Sequence, residues 1–213
     1  MNKVNRFFFV LLLHIAIRGW NQEPYKPVSD IESFKSNLAR MSASTGSIMS
    51  DFIQEKNLSV LSDKIISKGK FYFKKENNIR WEYTEPYRYL IIISNNQLFT
   101  KDEKGQKQYD IQSNKMFQEM NKFITGCING DILKNTKDYK IEYYENPHKY
   151  YVKLTPYSEK VKQMLNEVHI YFDKANLSVD GIKMVEAEGD YTKIDFINKK
   201  INIDIPVEKF TFK

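Results

Sequence analysis

The feature that most limits the fold is a period of two. Between Lys68 and Ser94, apolar side chains recur at alternate positions: Phe71 and Phe73, then Ile79, Trp81 and Tyr83. Strand side chains point to opposite faces in turn. Lys70, Tyr72 and Lys74 therefore oppose the first pair, and Arg80 and Glu82 oppose the second set. Val168, Ile170 and Phe172 repeat the pattern, as do Ile182 with Met184 and Ile194 with Phe196. One face is thus apolar along nearly every candidate strand. Composition agrees: 14 Phe and 14 Tyr against 8 Gly and 6 Pro favour long strands.

Asn77-Asn78 and Asn95-Asn96 mark tight turns between such runs, the signature of an antiparallel meander. Strands are predicted over residues 47–57, 59–75, 79–85, 87–94 and 97–103. After an interruption they resume over 138–145, 149–155, 165–173, 177–188, 190–198 and 200–206, with an extended tail from 207. Two segments carry helical spacing instead. Ile31, Phe34, Leu38 and Met41 form one stripe, opened by a capping box of Ser29 with Glu32. Met116, Met120, Phe123, Ile124 and Cys127 form the other, punctuated by Gly126 and Gly130. The expectation is a mainly β (α+β) domain: one strongly curved antiparallel sheet of about ten or eleven strands, with two or three helices against one face.

So many strands under so few helices must close on themselves, meet a second sheet or enclose a cavity. Cavities favour the mouths of barrels and curved sheets. Met116, Met120, Met164 and Met184 suit ligands of variable shape, though methionine fills core gaps equally well.

The first residues form a separate unit. Lys3 and Arg6 precede Phe7 to Ile17, an apolar run broken only by His14. That is too short to span a bilayer and matches a secretory signal peptide over residues 1–22, cleaved between Gly19 and Gln22. Residues 23–213 then form a single exported domain. Removing 1–22 lowers the net charge from +6 to +3, so the basic balance is partly that of the leader. The lysines are spread among acids, which argues against a nucleic-acid partner.

Catalytic signals are sparse. His148 follows a proline in a turn, and His169 alternates with apolar neighbours and so faces water. Neither has a partner at metal-ligand spacing. Glu186, Glu188 and Asp190 read as a solvated hairpin end. The single cysteine, Cys127, excludes a disulfide framework. The chain is read as a non-enzyme with no metal and no cofactor.

The ordered set Phe52, Gln54, Gly69, Phe71, Phe73, Trp81, Glu82, Tyr83 and Pro86, with "VKLTP" from Val152 and "EKFTF" from Glu208, resembles the LolA family of outer-membrane lipoprotein carriers. The resemblance covers essentially all of residues 23–213. It implies a periplasmic, monomeric carrier with a half-closed barrel and a helical lid, sheltering acyl chains between them. The implied partners are acylated lipoproteins, an inner-membrane lipoprotein-releasing ABC complex and an outer-membrane acceptor. The alternative is a LolA-like binder of other lipids, without a lipoprotein client. The expected barrel lining is Phe71, Phe73, Trp81, Tyr83, Leu90, Ile92 and Phe172. The expected lid side is Phe34, Leu38, Met116, Met120 and Phe123. The position matching the family's latch arginine is Lys75, which lacks the planar donor fork of arginine.

Overall fold

The computed structural model describes residues 24–113, 115–186 and 188–212. The expected signal segment lies outside them, and so do the side chains of Met116 and Met120. A short edge strand, β1 (Lys26–Pro27), leads into α1 (Ile31–Ser44). A first meander follows: β2 (Ser47–Asn57), β3 (Ile65–Lys74), β4 (Asn78–Glu85), β5 (Tyr89–Ser94), β6 (Gln97–Asp102) and β7 (Gly105–Asp110). Next come α2 (Lys115–Asn129) and a 3-10 turn, Asp131–Lys134. The second meander is β8 (Tyr139–Glu145), β9 (Lys149–Pro156), the short α3 (Glu159–Lys162), β10 (Glu167–Asp173), β11 (Val179–Val185) and β12 (Tyr191–Ile201). A second 3-10 turn, Val207–Phe210, closes the chain.

All twelve strands join one antiparallel sheet in the order β1-β8-β9-β10-β11-β12-β2-β3-β4-β5-β6-β7. The two meanders meet where β12 pairs with β2, and β1 and β7 remain as edges, so the barrel is not closed. Twisted sheets rarely exceed about ten strands without curling. Here the helices and the C-terminal segment give the two faces separate cores. The inner face, under α1 and α2, holds one cluster around Phe34, Leu38, Val152, Leu154, Val168, Ile170 and Phe172. It holds a second around Phe52, Phe71, Phe73, Ile79, Ile93 and Leu98. On the outer face, Ile205 and Phe210 fold back over Tyr72, Ile92 and Phe99. That covering is held by Lys74 Nζ donating to the Ile205 carbonyl at 2.7 Å and by Arg80 Nη1 donating to the Lys209 carbonyl at 3.2 Å.

Several local expectations change. The α1 cap is Asp30, whose side chain accepts from the Ser33 amide at 2.9 Å. Ser29 instead donates from its amide and hydroxyl to Glu145 on β8, at 3.2 and 3.1 Å. A long-range acceptor displaces the capping box. Residues 59–64, expected as strand, form a turn with Val60 largely exposed. The charged hairpin strand β7 has no apolar alternation, and all six of its residues are exposed, which hid it in the sequence. The predicted strand 190–198 continues to Ile201 as β12, which runs through the expected Asn-Lys-Lys turn with an irregularity in its pairing, while residues 202–206, predicted as strand, lie outside it. The Asn95-Asn96 turn is as expected, with both residues at positive φ, as a two-residue hairpin demands.

Candidate lipid-binding face

The motif residues of β2, β3 and β4 assemble into one aromatic floor. Gly69 pairs with Phe52, and a side chain there would sit 2.0 Å from the Glu82 carbonyl and 2.7 Å from the Phe52 ring. Only glycine lets that ring lie across the strand. Phe52 then meets Trp81 and Tyr83, both at 5.1 Å between ring centres. Phe71 lies 5.1 Å from Trp81 and 5.4 Å from Phe196 of β12. Gln54 accepts the Tyr83 hydroxyl at 2.9 Å, which fixes the far end of the floor. Burial, with Tyr87 alongside, pushes the Tyr83 phenol up to about 12. It therefore stays a neutral donor at physiological pH.

Phe71 and Phe73 are buried, whereas Trp81, Tyr83 and Ile91 remain partly exposed. Beyond them, Tyr89, Ile91, Leu98 and Tyr109 line an open groove of about 540 Å³ with charged residues along its rim. That lies within the range of about 300–1,000 Å³ typical of small-molecule sites. A second, narrower cleft lies under α2, between Ile128 and a floor of Ile48, Phe71, Ile182 and Phe196. It measures about 30 Å³. A water occupies about 10–15 Å³ on that measure, so there is room for roughly two.

The second helix links the two inner cores. Phe123 and Cys127 pack with the β8–β10 cluster, while Ile124 and Ile128 pack with the β2–β6 cluster. Burial holds the Cys127 thiol at about 12, so it behaves as an apolar side chain. The first helix is more firmly seated. Phe34 lies 4.4 Å from Tyr150 and 5.7 Å from Phe172 between ring centres. At its C-terminus, Asn202 accepts from the Gly46 amide at 2.6 Å and donates to the Ser44 carbonyl at 3.1 Å. Lys75 Nζ donates to the Ala43 carbonyl, and the Lys75 amide donates to the Gly46 carbonyl at 2.8 Å. A cation beside these last carbonyls suits the helix dipole.

The expected lining therefore divides. Phe71, Phe73, Trp81 and Tyr83 share the inner face. Leu90 and Ile92 do not, because they pair with Glu82 and Arg80 and belong to the outer cluster. The run Ile91–Ile93 is apolar on both faces, so alternation carried no information there; Ile91 and Ile93 are the inner residues. Phe34, Leu38 and Phe172 lie buried in the first cluster, and Leu38 also backs a cleft of about 240 Å³ between α1 and the Asp131–Lys134 turn. Met164 is 75% exposed on the loop before β10, away from both clusters.

Residues read as non-catalytic lie apart from this face. His169 is on the outer face, with Nε2 2.8 Å from Glu167. Asp190 accepts from the Ser59 amide at 2.6 Å and ties two loops together. Among the described residues no group of three His, Cys, Asp or Glu side chains could hold a metal ion, and no helix is long and apolar enough to cross a membrane.

Comparison with known proteins agrees with this geometry. The family model for outer membrane lipoprotein carrier protein LolA matches residues 43–213. The outer-membrane lipoprotein carrier protein of Methylococcus capsulatus is 22% identical over 207 residues, spanning 97% of this chain and 93% of the relative. An uncharacterized conserved protein from Thermus thermophilus superimposes with a TM-score of 0.53 at 10% identity, over 85% of this chain and 95% of that one. The Pseudomonas aeruginosa MucA/MucB complex gives the same TM-score and identity, over 85% of this chain and 60% of that one. At those identities the two structures speak for the fold alone. The chain belongs to the LolA family of outer membrane lipoprotein carrier proteins.

Proposed function

We propose that this protein is a periplasmic carrier that shelters the acyl chains of lipoproteins on its inner sheet face. It receives them from an inner-membrane ABC complex and passes them to an outer-membrane acceptor. The observation that carries the reading is the partly exposed floor of Trp81, Tyr83 and Ile91, continuous with an open groove. Each buried CH₂ contributes roughly 0.8 kcal/mol, so leaving a chain of about fifteen carbons in water costs on the order of 10 kcal/mol. A carrier must offset most of that and still release the chain. A half-open apolar floor does so without a nucleotide site or a catalytic group. The narrow cleft holds no hydrocarbon chain as it stands, so loading requires α2 to move off the β2–β6 cluster. Lys75 acts as the lid latch by holding the end of α1.

Residues 1–22 serve as the export signal and 23–213 as the single carrier domain, which works as a monomer. N-terminal sequencing of the secreted protein should begin between residues 19 and 23; an intact Met1 would remove the export step. Depleting the protein should leave lipoproteins at the inner membrane, whereas unchanged sorting would contradict lipoprotein carriage.

A second reading keeps the site and changes the client: a carrier of other lipids. It is favoured by the lysine at the latch, whose single ammonium contact is weaker than an arginine fork. Lipid co-purified from the periplasm distinguishes them, since free lipid without acylated protein supports the second.

A further inference from the structure

The narrow cleft under α2 is apolar except at one corner, where β12 breaks register. The pairing of β12 with β2 steps from Ile197 opposite Asp51 to Lys200 opposite Met49. Two residues, Asn198 and Lys199, therefore stand against the single residue Ser50, with Asn198 at φ 55°. Such bulges re-aim side chains and gather near functional sites. Here the bulge brings Lys199 to the cleft wall beside Ser50 and Ser178, with Phe71, Phe196 and Ile128 around them.

Lys199 is 13% exposed and fully committed. Its ammonium donates to the Ser178 hydroxyl at 2.7 Å, to the Val179 carbonyl at 3.2 Å and to the Asp180 carboxylate. Asp180 is shared with Lys149 at 2.9 Å. Ser178 in turn donates to Asn176 at 2.6 Å. Ser50 is different. It is 2% exposed, lines the cleft, and its hydroxyl has no partner among the described residues. A buried hydroxyl left unpaired has given up its water and gained nothing in return. A serine that only filled space would serve better as alanine.

We propose that Ser50, beside the Lys199 ammonium, is a polar subsite for the acyl oxygen of a bound lipid. The hydrocarbon chain would then run along Phe71, Phe196 and Ile128 toward the open groove. This deepens the carrier reading and rests on it. The ligand chemistry is a carbonyl-type oxygen that accepts one hydrogen bond. Its source is either the ester of an acylglyceryl group or the carboxylate of a free fatty acid.

The test uses the full chain and displacement of a neutral hydrophobic dye by methyl palmitate, palmitate and hexadecane. Ser50→Ala should weaken methyl palmitate by about fivefold, the worth of one neutral hydrogen bond, and leave hexadecane within about twofold. Its melting temperature should hold or rise, because an unpaired buried hydroxyl has been removed. Wild type favouring palmitate over methyl palmitate, with the preference lost in Lys199→Met, marks the free carboxylate as the source; equal affinity for the two, unchanged in Lys199→Met, marks the ester. Ser50→Ala binding all three ligands as the wild type does would overturn the subsite and leave the carrier reading standing. A wild type that binds none of the three would overturn both.

Discussion

The two halves of the inner face use the same alternation to opposite ends. Under α1, five inner-face residues of β9 and β10 are completely shut away: Val152, Leu154, Val168, Ile170 and Phe172 each have 0% exposure. Under α2, the floor of β4 and β5 stays partly open at Trp81, Tyr83 and Ile91. One half is filled by aromatic packing between helix and sheet. The other offers rings and branched chains that no described side chain fully covers. The same alternation thus gives one half that is sealed and one whose apolar rings stay partly exposed. Phe34 inserts between Tyr143, Tyr150 and Phe172, whereas the described apolar residues of α2, Phe123, Ile124, Cys127 and Ile128, divide between both clusters.

That contrast predicts a separation of effects. Phe172→Ala should cost about 3–5 kcal/mol by urea unfolding, the usual range for emptying a packed aromatic site. Phe73→Glu belongs with it despite lying in the other half. Phe73 is 2% exposed, and an unpaired carboxylate there should prevent folding. Trp81→Ala, on the open floor, should instead weaken acyl-chain binding by about tenfold or more while costing less stability than Phe172→Ala. That follows because the ring is only partly covered by protein. Equal loss of stability in Trp81→Ala and Phe172→Ala would erase the distinction between the halves.

Smaller effects sharpen it. Lys75→Ala removes a cation from the end of α1 and should lower stability by about 0.3–1 kcal/mol. If the contact is a latch, it should also speed uptake of an acyl probe in stopped flow; unchanged uptake would reduce Lys75 to a helix cap. Acid should loosen the sealed half. Lys174 holds the Glu145 carboxyl below its ordinary value of 4.5, and the Ser29 bonds act in the same direction. A lowered folded pKa means stability present above pH 4.5 and lost as pH falls through the depressed value. Melting temperature should therefore drop below about pH 4.5. That drop should shrink in Glu145→Gln, which has no proton to gain.

Much of this was legible in the sequence. The Phe71/Phe73 and Ile79/Trp81/Tyr83 alternations chose the inner face correctly, since a one-residue slip would have put lysines in the core. The two helical stripes were equally plain. Three things were not. The Ile91–Ile93 run is apolar on both sides because a distant C-terminal segment covers its outer face, and only tertiary contact reveals that. Strand β7 carries no apolar pattern. The sequence also could not separate filled from open floor. Phe34 and Phe172 look no different from Trp81 until one sees which rings have a helix residue driven between them. The resemblance to a family supplied the carrier reading; register and burial show which of the expected lining residues face inward and which of those stay partly exposed.

The central claim is that an acyl chain lies on the open floor against Trp81. With Trp20→Phe in place, Trp81 is the sole indole. Titration with a fatty acid brominated along its chain should quench its fluorescence in step with binding, and excess unbrominated fatty acid should restore it. Saturable binding with Trp81 emission unchanged would place the chain elsewhere and contradict the account.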